Sequence, residues 1–123
     1  MTSFLVVDDS KILRQHMVDL LGILGFTDIS TAINGQDALD QVKKKMPDVI
    51  TLDWNMPLMD GLSFVQHLRN MPNGKTTKVI FCTSEGRHAR IQMAFNAGAD
   101  EYIVKPVDVT ALRECLLLLD VIA

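Results

Sequence analysis

Short apolar or β-branched runs alternate along the whole chain with longer amphipathic stretches, in the order strand then helix, five times over. The strand candidates are Phe4 to Val7, Asp28 to Ala32, Val49 to Leu52, Val79 to Cys82 and Tyr102 to Val104. Helix candidates follow at Lys11 to Leu24, Gln36 to Lys45, Leu62 to Asn70, Arg87 to Ala97 and Val109 to Leu119. Three of the strands are almost wholly apolar, the composition of strands covered on both faces. The punctuation agrees: Ser10 can cap the first helix, Gly25 and Gly98 can end the first and fourth, and Pro47 stops the second. Strand, helix, strand at this spacing implies parallel strands joined by right-handed crossovers, hence an α/β, doubly wound open sheet with helices on both faces. Such sheets hold their sites at the carboxyl ends of the strands.

Composition narrows the picture. A chain of 123 residues, 48% hydrophobic and 22% charged, fits one domain over residues 1–123 and has no room for a second. Lys+Arg 12 against Asp+Glu 15 leaves a net charge of -3, which argues against a nucleic-acid binder held by phosphate contacts. Function must then come from a local site. The two cysteines, Cys82 and Cys115, stand among apolar residues and suit buried thiols in a reducing compartment, so a cytoplasmic location is expected. The longest apolar run, Cys115 to Leu119, is too short to span a bilayer, and no signal-peptide pattern precedes Asp8.

Four strands finish in an abrupt change from apolar to reactive: Val7 to Asp8 and Asp9, Leu52 to Asp53, Cys82 to Thr83, Val104 to Lys105. The fold would gather these side chains in one cleft. Three crowded carboxylates raise the pKa of at least one of them unless a cation neutralises them. A hard divalent ion, Mg²⁺, suits oxygen donors of this kind, and no His or Cys cluster competes for a softer metal. A carboxylate beside such an ion can attack phosphorus to form an aspartyl phosphate. Lys105 would supply the fixed cation, the Thr83 hydroxyl a hydrogen bond to a phosphoryl oxygen, and Ser84 the room for one. Each residue also has an ordinary reading, as a helix-start acid, a turn residue or a cap. Their coincidence at four strand ends is what favours chemistry.

The segments Val6-Val7-Asp8-Asp9-Ser10, Leu52-Asp53-Trp54-Asn55-Met56-Pro57, Met59-Asp60-Gly61, Thr83-Ser84-Glu85 and Lys105-Pro106 resemble the receiver domain of two-component response regulators, above all its stand-alone, CheY-like form in bacterial chemotaxis. The resemblance spans essentially the whole chain. It implies a flavodoxin-like sheet of strand order 2-1-3-4-5 and a single receiver with no output domain. It further implies that Asp53 takes a phosphoryl group from the phosphohistidine of a sensor histidine kinase or histidine phosphotransfer protein. Asp8, Asp9, Asp53 and the Asn55 carbonyl would hold Mg²⁺, and Lys105 and Thr83 would meet the phosphoryl group. Tyr102 matches an aromatic switch, Asn55 and Glu85 match positions that tune rapid self-dephosphorylation, and the Lys105-Pro106 bond would be cis. The only catalysis expected is of the chain's own phosphorylation and acyl-phosphate hydrolysis. The alternatives are a phosphorelay intermediate, or a pseudo-receiver that binds partners without phosphate chemistry. A phosphatase of the haloacid dehalogenase-like kind is disfavoured because Asn55, and not an acid, stands two residues after Asp53. Many receivers carry an aromatic residue after the Lys-Pro pair, whereas Val107 stands there in this chain.

The remaining features are weaker. Asp60 is expected to start the third helix and Gly61 to serve backbone geometry. Trp54 has two readings, an exposed ring at the mouth of the site or a packed one. Lys43, Lys44 and Lys45 suit a helix C-terminus, and His16, His67 and His88 fall on helices away from the strand ends. Met17 and Met93 read as core fillers, with Met56 and Met59 in the loop after the acceptor. Arg87, His88 and Arg90 place positive charge at a helix start, against the local dipole, and are candidates for a partner contact. In the last helix Leu112, Cys115, Leu116 and Leu119 form an inward stripe that leaves Leu117 and Leu118 outside it. Receivers signal or dimerise through the face of the fourth helix, fifth strand and fifth helix. A partner face of Arg87, Arg90, Tyr102, Leu117 and Leu118 is therefore expected to dock a phosphorylation-dependent protein target. A monomer is the first expectation and a dimer through that face the second.

Overall fold

Strands β1 (Ser3–Val7), β3 (Val49–Leu52) and β4 (Lys78–Thr83) are buried along nearly their whole length, whereas β2 (Asp28–Ala32) and β5 (Glu101–Val104) keep exposed positions. That division is the one a five-stranded sheet imposes on its centre and its edges. In the computed structural model, which describes residues 1–123, the strands are parallel in the order β2-β1-β3-β4-β5. Five helices connect and follow them: α1 (Lys11–Ile23), α2 (Gly35–Lys44), α3 (Gly61–Arg69), α4 (His88–Ala97) and α5 (Val109–Leu118). Strand alternation divides the core into two layers. Leu5, Val7, Ile50, Leu52, Val79 and Phe81 pack with α2, α3 and α4; Phe4, Val6, Val49, Ile80, Cys82 and Ile103 pack with α1 and α5. The accessible surface of 6509 Å² is close to the ~6,600 Å² expected of a compact chain of this mass.

The helix ends follow local chemistry. Ser10, Asn34, Asp60 and Asp108 each accept a hydrogen bond from a first-turn N–H, so α1, α2, α3 and α5 start on a side-chain cap. Gly25 at φ 95° and Gly98 at φ 119° take the left-handed conformation that ends α1 and α4. α4 is the exception at its start. Arg87 stands at its N-cap with no side-chain hydrogen bond, and Ala94 is the only buried residue within it. Met93 is 43% exposed, which corrects its expected place in the core. In α5 the expected stripe is inward, with Leu112, Cys115 and Leu116 buried, while Leu117 and Leu118 are exposed. Full burial of one such leucine contributes roughly 1.5–3 kcal/mol. The remaining differences are single residues at element ends, as where α2 runs from Gly35 to Lys44 and β4 gains Lys78 and Thr83.

Candidate functional site

Register brings the strand-end residues together. Val7 pairs with Leu52, so Asp8 and Asp53 leave the sheet side by side; Thr83 pairs with Val104, so Lys105 follows at the next level. The ladder continues past the strands, with the Asp53 N–H donating to the Val7 carbonyl at 3.0 Å and the Lys105 N–H to the Thr83 carbonyl at 2.9 Å. Asp8 and Asp53 are buried and Asp9 is exposed, yet one carboxylate oxygen of each lies within 4.8 Å of the others. Lys105 Nζ donates to Asp8 Oδ2 at 2.9 Å and lies 3.5 Å from Asp53 Oδ2. A single ammonium thus faces two buried carboxylates, with a third at the rim. The hydrogen bonds fix the acids in place: the Ser10 N–H donates to Asp8 Oδ1 at 2.9 Å, and the Trp54 N–H to Asp53 Oδ1 at 2.8 Å.

Electrostatics follow from this packing. Burial pushes the Asp53 carboxyl above its ordinary range; Lys105 opposes the shift, Asp8 adds to it, and the Trp54 N–H and Thr83 hydroxyl oppose it. Burial disfavours the Lys105 ammonium, but the bond to Asp8 and the charges of Asp53 and Asp8 outweigh it and hold its pKa above the usual value. Three carboxylates share one cation. The donor set fits a hard divalent ion, all oxygen with no thiolate or imidazole among the three clustered acids.

The β3–α3 loop is held hard against Asp53. The Gly61 N–H donates to the Trp54 carbonyl at 2.9 Å, and a Cβ on Gly61 would lie 2.4 Å from the Asp53 carbonyl oxygen. Asn55 follows in the same loop and is exposed, as is Ser84 after β4. Trp54 is buried, its ring centroid 5.4 Å from that of Phe81, with the Arg90 guanidinium 5.1 Å from the indole centre. Of its two readings, the packed one is correct.

On the other side, Thr83 is fully buried, and its hydroxyl accepts from the Glu85 N–H at 3.4 Å. Glu85 turns its carboxylate to Arg87, accepting from Nε at 2.7 Å and from the second guanidinium nitrogen at 3.1 Å, and this contact lowers its pKa. Tyr102 is half-buried and stacks on Phe81 with centroids 5.9 Å apart, and its hydroxyl donates to the Glu85 carbonyl. Thr83, Glu85, Arg87 and Tyr102 therefore form one connected edge, with Arg90 joined to it through Trp54. The Lys105-Pro106 bond is cis. Leu117 and Leu118 lie on exposed parts of α5 and make no part of the cleft.

One sequence expectation needs correction. His16 is not remote from the strand ends, for its Nε2 lies 2.9 Å from the Val107 carbonyl and it lines a cavity beside Asp8, Asp53 and Lys105. Ninety-one residues separate the pair, so no local pattern announces it. Thr51, a hydroxyl in the otherwise apolar run Val49 to Leu52, lines the same cavity and was the one visible hint of it.

Comparison with known proteins agrees with this arrangement. Residues 4–117 match the response regulator receiver domain. Chemotaxis protein CheY1 of Helicobacter pylori is 37% identical over 113 residues, 91% of this chain and 91% of that protein. The structure of Vibrio cholerae chemotaxis protein CheY4 is 34% identical and superposes with a TM-score of 0.89 over 97% of this chain and 98% of that one. The Borrelia burgdorferi CheX-CheY-BeF3-Mg complex gives a TM-score of 0.90 at 27% identity, over 97% of this chain and 89% of that one. A flavodoxin-like sheet, acids and a lysine converging at its carboxyl edge, and relatives of this length and identity lead to one conclusion: the chain belongs to the response regulator receiver domain family and is a homologue of the CheY proteins of two-component chemotaxis signalling.

Proposed function

We propose that Asp53 is the phosphoryl acceptor of a single-domain, CheY-like switch. The observation that carries this reading is the Lys105 ammonium poised between Asp8 and Asp53, at 2.9 Å and 3.5 Å, with Asp9 at the rim. Asp8, Asp9, Asp53 and the Asn55 carbonyl would hold Mg²⁺, which when bound neutralises phosphoryl oxygens and leaves positions open for one of them. A carboxylate oxygen of Asp53 attacks phosphorus. The P–O bond to Asp53 forms as the P–N bond of a phosphohistidine breaks, and its electron pair leaves with the imidazole nitrogen. Lys105 pairs with the added charge, and the Thr83 hydroxyl donates to a phosphoryl oxygen. A water then attacks phosphorus, the P–O bond to Asp53 breaks, and inorganic phosphate leaves as Asp53 returns to its carboxylate; Asn55 beside the cleft, and Glu85 once released from Arg87, would tune that water's approach.

The buried charge has a direct route to the surface. Movement of the Thr83 hydroxyl toward the phosphoryl group weakens its bond from the Glu85 N–H, and the Glu85 carbonyl is the acceptor for Tyr102. The Thr83–Glu85–Tyr102 link is the bistable element, and the phosphoryl group biases it. The surface it alters, around Arg87, Arg90, Tyr102 and the exposed Leu117 and Leu118, docks a phosphorylation-dependent target in the cytoplasm, and the protein acts as a monomer. No helix is long and apolar enough to cross a membrane.

Incubation with acetyl phosphate and Mg²⁺ tests the reading. One added phosphoryl group on the wild-type chain, and none on Asp53→Asn or after chelation, is the expected result. A folded wild-type chain that stays unlabelled overturns it.

A further inference from the structure

A cavity of about 190 Å³ lies between α1 and the sheet, with Lys105 among its lining residues. Most of its wall is apolar, with Leu13, Met17, Cys82 and Val107 among the lining residues. Its size exceeds the ~150 Å³ of an engineered apolar cavity that accepts benzene. Thr51 gives it a polar mark. The residue is 2% exposed, its hydroxyl makes no hydrogen bond within the chain, and no fully enclosed side-chain polar atom lacks a partner. The hydroxyl must therefore open onto the cavity it lines. A ligand that displaces water from this hydroxyl must supply a polar atom in its place.

We infer that this cavity is a binding site for a small neutral aromatic molecule of one or two rings bearing a single hydroxyl or N–H. The lining decides neutrality: most of it is apolar and would leave a charged ligand desolvated, and Asp8 and Asp53 repel an anion. The walls decide aromaticity. The sulfur atoms of Met17 and Cys82 and the ammonium of Lys105 all interact better with a π-face or ring edge than with an aliphatic chain. Thr51 decides the polar atom, since its hydroxyl can both donate and accept and is matched by an O–H or N–H on the ligand. The site is distinct in chemistry from the acidic notch, although the two share the side chains of Asp8, Asp53 and Lys105.

Titration of the unphosphorylated chain with phenol and with benzene, in the absence of Mg²⁺ and phosphodonor, tests the inference without invoking phosphoryl chemistry. Amide N–H shifts are expected to saturate with both probes and to centre on Thr51, Cys82 and Val107. The nearly isosteric Thr51→Val should weaken phenol about three- to tenfold and leave benzene unchanged. Val107→Phe should fill the space and remove both responses; Cys82→Leu, at another lining position, should do the same and serves if the first variant fails to fold. Absence of a saturable shift up to the solubility limit overturns the inference. So do shifts that persist in a folded, cavity-filled variant, or an equal loss of phenol and benzene in Thr51→Val.

Discussion

Gly61→Ala is a single added methyl group that should disable the site while leaving every proposed catalytic side chain intact. Gly61 carries no positive φ, so the effect is purely one of space. The new Cβ would stand 2.4 Å from the Asp53 carbonyl oxygen, 2.9 Å from a Phe81 ring carbon and 3.1 Å from the Trp54 Cα. Two of these neighbours are backbone and cannot rotate away. To reach ordinary contact distance, the start of α3 or the segment bearing Asp53 must move by about 1 Å, which strains the Gly61 N–H bond to the Trp54 carbonyl. Overpacking of this kind costs about 1–3 kcal/mol. That corresponds to a fall in melting temperature of roughly 4–12 °C. A misplacement of about 1 Å at a reacting group can slow the chemistry by about 100-fold. Gly22→Ala is the control, since nothing lies within 4 Å of its Cβ and it sits in the last turn of α1. It should stabilise by about 0.5–1 kcal/mol, with labelling unchanged. Thermal unfolding and the rate of acetyl phosphate labelling read both effects. A Gly61→Ala chain as stable and as readily labelled as Gly22→Ala would show that the loop has room to spare beside Asp53.

Other perturbations discriminate between parts of the account. Lys105→Met removes the one cation facing Asp8 and Asp53, so labelling should slow by about 100-fold in a chain that still gains thermal stability from Mg²⁺; an unchanged rate would show that the ammonium is a bystander. Tyr102→Phe deletes the hydroxyl bond to the Glu85 carbonyl at a cost of about 0.5–1.5 kcal/mol. Hydrogen exchange should quicken in the Thr83 to Arg87 turn and nowhere else. Arg69→Met strips bonds from the carbonyls of Gly74, Thr77 and Gly98 and leaves Asp100 without its ion pair, and denaturant unfolding should report a loss of about 3 kcal/mol. Burial pushes the Cys115 thiol up to about 11 and the Cys82 thiol further still. Because the thiolate is the reactive form, iodoacetamide at pH 8 should modify the native chain far more slowly than the denatured one.

The positions that could be read in the sequence are those whose placement needs only the period of the chain. Asp8, Asp53, Thr83 and Lys105 stand where apolar strands end, and parallel pairing with Val7 opposite Leu52 is enough to bring them together. Leu112, Cys115 and Leu116 show the same economy on a helical period. What was hidden depends on turns or on distant partners. Glu85 turns to Arg87, not into the cleft, because a two-residue turn puts the guanidinium at 2.7 Å. His16 reaches Val107 only after the sheet has brought α1 beside the loop after β5. Met93 misled for another reason: α4 presents Ala94 as its sole buried side chain, so its amphipathic pattern is too weak to tell an inward methionine from an outward one.

Asp53, flanked by Lys105 and by the acids Asp8 and Asp9, is the residue proposed to receive the phosphoryl group. A crystal structure of the chain grown with Mg²⁺ and beryllofluoride tests this role most directly. The expected structure has beryllium bonded to an Asp53 carboxylate oxygen, fluorides facing Lys105 Nζ and the Thr83 hydroxyl, and the cation bound by Asp8, Asp9, Asp53 and the Asn55 carbonyl. Well-ordered crystals with a bare Asp53, or with the adduct on a different carboxylate, would contradict it.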